Sequence, residues 1–332
     1  MRPLEARRRH WAALLLSIVL LQAVPAQASL GDRLPDFKEC VKVCIKTNCD
    51  SSNPTPIPLQ RRLLLWNCPA ECDYHCQHVV TDKRLARDPP YREPILQFHG
   101  KWPFHRFLGM QEPFSVLFSL LNFLAHDAGI RRLKDQVPAS YELRKYYLLF
   151  GYFGLVTWTF SMLFHTRDFA LTEKLDYFAA GASVLYGLYY CPIRIFRLEE
   201  STPSKSALLR AWTLICVALY IAHVSYLSFW TWDYTYNMAA NIAVGVTANV
   251  MWSWFSVYRF QRTKKWWSAW PGMIVAWVVL AMSMELFDFA PWGGMIDAHS
   301  LWHLGTVVPT IWWYSFLVKD AKDDIQGTRL KQ

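Results

Sequence analysis

The sequence predicts an all-α membrane protein, in which a seven-transmembrane helix bundle follows a small disulfide-rich lumenal N-terminal region. Three observations support this class. Hydrophobic residues make up 53% of the 332 residues. Seven apolar segments each approach the ~20 residues that a helix needs to cross a bilayer. Six of the eight cysteines precede the first of these segments.

The first 28 residues have the pattern of a secretory signal peptide. Arg7–Arg9 form a basic region, Trp11–Leu21 an apolar core and Ala26–Ala28 a small-residue cleavage site. An uncleaved signal anchor is the alternative. In both cases the segment that follows, residues 29–105, is expected to lie on the lumenal side.

Residues 29–105 hold the cysteine cluster, with the spacing C-x3-C-x4-C followed by C-x3-C-x3-C. An even number of cysteines in a short secretory-side stretch favours disulfides, whereas a metal-binding knuckle would favour C-x2-C, which is absent. Six cysteines allow fifteen pairings, and their spacing does not choose among them. The cluster comprises Cys40, Cys44, Cys49, Cys68, Cys72 and Cys76. Cys191 and Cys216 lie in apolar segments and are interpreted as ordinary core residues.

Residues 106–318 are predicted to form the membrane domain. Its seven apolar segments are Pro113–Ile130, Tyr146–Phe164, Leu175–Ile195, Ala207–Phe229, Tyr236–Val257, Trp266–Phe287 and Ala298–Val318. Lysines and arginines cluster in the loops after the first, third and fifth segments, while the alternate loops carry only Arg167 and Lys174. This asymmetry places the clustered loops and the tail, residues 319–332, in the cytosol. The net charge of +9 therefore reflects membrane topology and not a nucleic-acid partner.

Two polar pairs interrupt the apolar segments with i, i+4 spacing, which places each pair on one helix face. Ser161 and His165 end the second segment, and His299 and His303 begin the seventh. The topology brings both ends to the lumenal interface. Polar groups at membrane depth are costly and mark a functional site by default. Three imidazoles from two helices match a zinc site with a fourth position open to water, although each histidine taken alone is more often structural.

Asp176 begins the third segment, eleven residues after His165. Glu285, Asp288 and Asp297 add carboxylates to the same lumenal mouth. Zinc can lower the pKa of a bound water to about 7, a carboxylate can transfer the proton, and the Ser161 hydroxyl can donate to an oxyanion. Ser161 could instead bond back to its own helix. The pattern predicts metal-assisted hydrolysis of an ester or amide at membrane depth.

Two further polar residues, Asn122 and His126, share a face of the first segment toward its cytosolic end. They lie far from the expected metal, so we interpret them as interhelical polar packing. No role is assigned to His223 in the fourth segment.

The same residues carry a resemblance that covers nearly the whole mature chain. Further motifs are Phe98–Phe104 (FHGKWPF), Gln111–Pro113 (QEP), Phe164–Asp168 (FHTRD), Leu171–Tyr177 (LTEKLDY), His223–Leu227 (HVSYL), Asp297–His299 (DAH) and Trp302-His303. The S-x3-H, D and H-x3-H arrangement resembles the CREST superfamily of seven-span hydrolases, which includes alkaline ceramidases and adiponectin-type receptors. The closer resemblance is to the Per-like, post-GPI-attachment-to-proteins factor family, and the chain looks fungal. The acidic calcium ligands of the ceramidases are not clearly reproduced.

The resemblance implies removal of the sn-2 acyl chain from the lipid of GPI-anchored proteins, a phospholipase A2-type reaction. It implies Zn²⁺ ligation by His165, His299 and His303, and catalytic roles for Ser161 and Asp176. The partners implied are GPI-anchored proteins as substrate and membrane lipid. The family acts in the endoplasmic reticulum of fungi and the Golgi of animals, and we favour the endoplasmic reticulum membrane here, with the active site facing the lumen.

Two other functions compete with this interpretation. A ceramidase-like amidase would act on free lipids, but a large cysteine-rich lumenal region suits a protein-linked substrate better. A non-enzymatic seven-span receptor could retain zinc as a structural clamp.

Overall fold

The computed structural model describes residues 29–49, 56–87 and 93–329. The predicted signal peptide therefore lies outside the described residues. The described part is helical and contains no β-strand, which confirms the all-α class. Three isolated β-bridges close turns in it, at Phe98–Lys101, Phe107–Met110 and Trp292–Ile296.

The described residues of the cysteine-rich N-terminal region form four helices: α1 (Leu30–Arg33), α2 (Pro35–Asn48), α3 (Leu59–Leu63) and α4 (Cys68–Leu85). Proline occupies the first turn of α2, where its missing N–H removes no helical hydrogen bond. The Asn67 side chain caps α4 by accepting a hydrogen bond from the Ala70 N–H at 3.0 Å.

Three disulfides join α2 to α4, which confirms the predicted framework. The bridges are Cys40–Cys76, Cys44–Cys72 and Cys49–Cys68. Their order reverses along the two segments, so the helices run antiparallel. Sulfur atoms of Cys49, Cys68 and Cys72 lie close enough together to suggest a metal cluster, but the disulfides account for all three.

The disulfides are expected to stabilise a region whose own core is small. That core consists of Phe37, Cys76, Val80 and Phe98 with a few half-buried neighbours. Because each bridge typically contributes ~2–4 kcal/mol, Cys68→Ser should lower the abundance of the protein in cells, measured by quantitative immunoblotting. Cys216→Ser, which removes a free thiol, is the matched control and should leave abundance near normal. Labelling of all six clustered cysteines by iodoacetamide in native, unreduced protein would contradict the framework.

Seven long helices follow, one for each predicted apolar segment. They are α5 (Pro113–Gln136), α6 (Arg144–Thr166), α7 (Ala170–Phe196), α8 (Pro203–Ser225), α9 (Tyr234–Thr263), α10 (Trp270–Phe287) and α11 (Ala298–Arg329). A π-helical turn extends α8 to Trp230, and a 3₁₀ turn precedes α10.

Four of the long helices are long and apolar enough to cross a membrane by length and composition: α5, α6, α8 with its π-helical turn, and α10 with the preceding 3₁₀ turn. The other three fall below that threshold. Two of these, α7 and α11, carry the predicted site residues Asp176, His299 and His303. The count of seven membrane crossings therefore stays a prediction.

Six of the long helices pack as a closed ring in the order α5, α6, α7, α9, α10 and α11, with α11 returning to α5. Helix α8 lies outside this ring and packs on α7. Leucines of α8 such as Leu214 and Leu219 are exposed, as expected for a surface that faces lipid. The ring brings the end of α6 and the start of α11 to the same end of the bundle, on either side of α5.

A buried ion cluster ties the opposite end of the bundle together. The Arg194 guanidinium of α7 donates to both carboxylate oxygens of Asp320 on α11, at 2.5 and 2.8 Å. Arg259 of α9 pairs with the same carboxylate, which is fully buried. Asp320 lies beyond Val318, where the last apolar segment was predicted to end. Helix α11 continues through most of the segment predicted as a cytosolic tail and ends at Arg329.

The charge asymmetry predicts which end of the bundle faces the lumen. A glycosylation acceptor inserted near Gly293, between α10 and α11, should be modified during synthesis in the secretory pathway. One inserted near Gln261, at the end of α9, should not, because that end carries the clustered basic residues. Endoglycosidase-sensitive gel mobility reports both outcomes. The reverse pattern would place the histidines on the cytosolic face.

Candidate metal centre

The three predicted histidines converge from two helices. His165 lies in the last turn of α6, and His299 and His303 occupy successive turns at the start of α11. Their ligand atoms all lie within 4.8 Å of one another. The Nε2 atoms of His165 and His299 are 3.3 Å apart, although 134 residues separate them in sequence. His165 and His303 are buried and His299 is half-buried.

Carboxylates form hydrogen bonds with two of the imidazoles, each at the ring nitrogen that faces away from the centre. Glu112, immediately before α5, accepts a hydrogen bond from Nδ1 of His165 at 2.7 Å. Glu285, near the end of α10, accepts one from Nδ1 of His299 at 2.7 Å. In each ring Nε2 is then the nitrogen that faces the centre. Metal-ligating histidines characteristically use their second nitrogen in this way, so the donor set fits a divalent metal.

The third imidazole contacts a serine hydroxyl, which in turn contacts a second one. Nδ1 of His303 lies 3.0 Å from Oγ of Ser119, which in turn lies 3.0 Å from Oγ of Ser161. Ser119 donates its own proton to the Ser115 carbonyl at 2.7 Å. Since a hydroxyl has one proton and two acceptor positions, Ser119 accepts from both His303 and Ser161. The predicted Ser161 is therefore connected to the third ligand through Ser119.

Asp176 lies in the second turn of α7 and is half-buried. Helix α7 packs against α6 and begins four residues after α6 ends, so Asp176 lies at the same end of the bundle as His165. All five residues predicted from sequence thus belong to one end of the helix ring.

The other carboxylates near this end of the bundle have separate structural roles. Asp297 caps α11: its side chain accepts from the Ser300 N–H at 2.8 Å, and its own N–H donates to Ser300 Oγ at 3.0 Å. Asp288 accepts from Trp102 Nε1 at 3.0 Å and so ties the segment before α5 to the end of α10. Of the three carboxylates noted in the sequence here, only Glu285 contacts a histidine of the centre in the described residues.

Glu112 accepts hydrogen bonds from two side chains, one on each carboxylate oxygen. One oxygen accepts from His165, and the other accepts from the Lys101 ammonium at 2.5 Å. Burial alone would raise the pKa of Glu112, but Lys101 and His165 outweigh it and hold the pKa of this carboxyl well below its usual range. Burial would likewise lower the pKa of Lys101, yet Glu112 and Asp168 raise it overall. The pair is therefore a carboxylate and an ammonium.

Asn122 and His126 make the interhelical contacts predicted for them. The Asn122 amide donates to the His303 carbonyl at 2.8 Å, and Nδ1 of His126 lies 2.8 Å from the Tyr314 hydroxyl. Both contacts join α5 to α11. Asn122 therefore lies closer to the centre than the sequence predicted, because its partner is the backbone of one of the three histidines.

Sequence reasoning missed the supporting roles of Glu112 and Ser119. A signal for Ser119 was present, because polar residues recur along α5 at positions 115, 119, 122 and 126, a helical spacing that marks one face. Glu112 had a weaker signal. It precedes the first apolar segment and lies 53 residues before the histidine that it supports.

Comparison with known proteins gives a consistent result along the chain. The model of the Per1-like family matches residues 58–321. The Protein PER1 homolog of Schizosaccharomyces pombe is 41% identical over 306 residues, 91% of this chain and 90% of the relative. A GPI-specific phospholipase A2-like PGAP3 from Danio rerio is 37% identical, covering 92% of this chain and 95% of the relative. The Homo sapiens protein of the same name is 35% identical, covering 93% and 95%.

Proposed function

Because the chain belongs to the Per1-like family, we propose that it is a zinc-dependent hydrolase of GPI-anchor remodelling. It removes the sn-2 acyl chain from the lipid of GPI-anchored proteins, a phospholipase A2-type reaction. The observation that carries the proposal concerns the two nitrogens of each imidazole. All three Nδ1 atoms form hydrogen bonds with side chains around the centre, which leaves the Nε2 atoms to bind a metal. The names of the PGAP3 relatives support the substrate class.

His165, His299 and His303 would hold the metal. When bound there, zinc activates water at neutral pH and polarises an ester carbonyl. The Glu112 and Glu285 carboxylates fix the orientation and tautomer of two of the rings, which is the usual role of such partners.

Asp176 and Ser161 supply the remaining chemistry. The Asp176 carboxylate takes a proton from the attacking water and delivers it to the departing glycerol oxygen. The Ser161 hydroxyl turns from Ser119 toward the substrate and donates to the oxygen on which negative charge develops. Ser161 is not the nucleophile, because every ring nitrogen of the three histidines is already engaged and none remains to serve as its base.

The proposed location is the membrane of the endoplasmic reticulum, with the Golgi as the alternative. GPI-anchored proteins present their protein part and glycan on the lumenal side. The histidine centre lies at the end of the bundle that the charge asymmetry assigns to the lumen. The partners proposed are GPI-anchored proteins as substrate and membrane lipid, with no nucleic acid.

Lipid analysis of GPI anchors in a deletion strain tests the proposal. Anchors from the deletion strain should keep an unsaturated sn-2 chain, and the intact chain should restore its removal. Accumulated ceramide with normal anchors would favour the amidase. Normal anchors together with normal ceramide would favour the receptor.

A further inference from the structure

Lys101 reaches the metal centre from outside the helix bundle. Its ammonium lies 2.5 Å from one oxygen of Glu112 and 3.1 Å from Asp168, and it sits 3.9 Å above the centre of the Phe164 ring. The second oxygen of Glu112 holds His165. Lys101, Glu112 and His165 therefore form a continuous chain of contacts that ends at one of the three converging imidazoles.

The backbone of Lys101 belongs to the disulfide-bonded region. Residues Phe98–Lys101 form a tight turn closed by two backbone hydrogen bonds, of 2.7 and 2.9 Å. His99 and Gly100 in this turn both have positive φ angles, of 51° and 79°, a pairing that suits a two-residue turn with glycine second. The turn thus has one defined geometry, which fixes where the Lys101 side chain begins.

Phe98 anchors the turn. It is almost completely buried and packs with Phe37, Val80 and Cys76 in the small core of the region. The Phe37 and Phe98 ring centres are 4.7 Å apart. Since Cys76 is bonded to Cys40, the disulfide framework, the Phe98 anchor and Lys101 form one connected unit.

We propose that Lys101 is a positioning residue for the metal centre, through which the disulfide-bonded region holds Glu112 and hence His165 in ligating geometry. The inference rests on the proposed function, because it treats His165 as a metal ligand. A glutamate side chain has several rotatable bonds, and Lys101 limits them by fixing the oxygen that His165 does not use. The disulfide-bonded region then helps to position a metal ligand, in addition to any contact with the protein part of the substrate.

The test is the rate at which purified full-length protein releases zinc to a chelator. Losing a partner that orients a metal ligand typically costs about 10–100-fold in metal affinity. Lys101→Met and Glu112→Gln should each accelerate release by that order, and Lys101→Arg should restore most of the retention. If Lys101 acts through Glu112, the double variant should release zinc no faster than Glu112→Gln alone. Lys83→Met removes an exposed lysine of the same region and is the control, with release at the wild-type rate.

Each outcome decides the inference. Wild-type release from Lys101→Met, or a double variant whose acceleration is the product of the two single effects, would overturn it. If Lys101→Met fails to accumulate, the double variant fails with it. Lys101→Gln, which also removes the ammonium, then takes its place both alone and together with Glu112→Gln, and the same comparison decides. Failure of the proposed function is visible separately: wild-type protein without zinc would overturn both, whereas zinc in the wild type and unchanged release in the variants would overturn only the role of Lys101.

Discussion

His299→Ala is expected to lose most of its zinc while the protein keeps its fold. Wild-type protein should contain about one zinc per chain, since three imidazoles with an open fourth position form a typical catalytic site. His299 is the most exposed of the three ligands, and its side chain has a relative exposure of 36%. Its removal therefore leaves little buried space, and the helix contacts of α11 remain. Elemental analysis of purified protein measures the loss.

Two further variants serve as comparisons for His299→Ala. His223→Ala removes a histidine of α8 outside the centre and should keep full zinc content. Glu285→Gln keeps all three ligands but weakens the support of His299, so it should release zinc about 10–100-fold more readily than the wild type. Stoichiometric zinc in His299→Ala would overturn the three-histidine assignment. Zinc loss in His223→Ala would instead point to a general loss of fold.

The histidine centre could be predicted because two local patterns and one global pattern agree. The i, i+4 spacing placed each pair on one helix face, and the loop charges placed both pairs at the same membrane interface. The structure brings His165 and His299 into contact at that level. The existence of the long helices could also be predicted, because an apolar segment of about 20 residues is a strong signal for a membrane helix. The number of segments that cross the membrane was less predictable, because three of the seven helices, α7, α9 and α11, do not meet the length and composition expected of a membrane span.

What the sequence could not provide was the set of contacts that depend on how segments meet. The cysteine spacings place the sulfur atoms on consecutive turns of α2 and α4 in either helix direction. Only the antiparallel approach selects Cys40–Cys76 as the outermost bridge. The role of Glu112 likewise requires the start of α5 to lie beside the end of α6, where the Glu112 N–H donates to the His165 carbonyl at 3.0 Å.

Asp176→Asn and Ser161→Ala are expected to keep zinc but leave the unsaturated sn-2 chain on GPI-anchored proteins. Neither residue is one of the three ligands, so the metal content should stay near that of the wild type. Asparagine keeps the size of Asp176 but cannot accept the proton from water. Alanine at position 161 removes the donor to the oxyanion, a loss that typically costs about 10²–10³ in rate. Anchor lipid analysis and elemental analysis of the same preparations separate chemistry from metal binding.

Ser119→Ala distinguishes the two roles that the serine chain allows. Ser119 contacts His303 directly, whereas Ser161 reaches His303 only through Ser119. If Ser161 serves the substrate, Ser161→Ala should lose activity with zinc intact, and Ser119→Ala should lose zinc retention as well. Equal zinc loss in both variants would make Ser161 a support of His303 and not a donor to the substrate. A stable acyl group trapped on Ser161 would replace the water mechanism with a covalent one, and normal anchors in both Ser161→Ala and Asp176→Asn would remove these residues from the reaction.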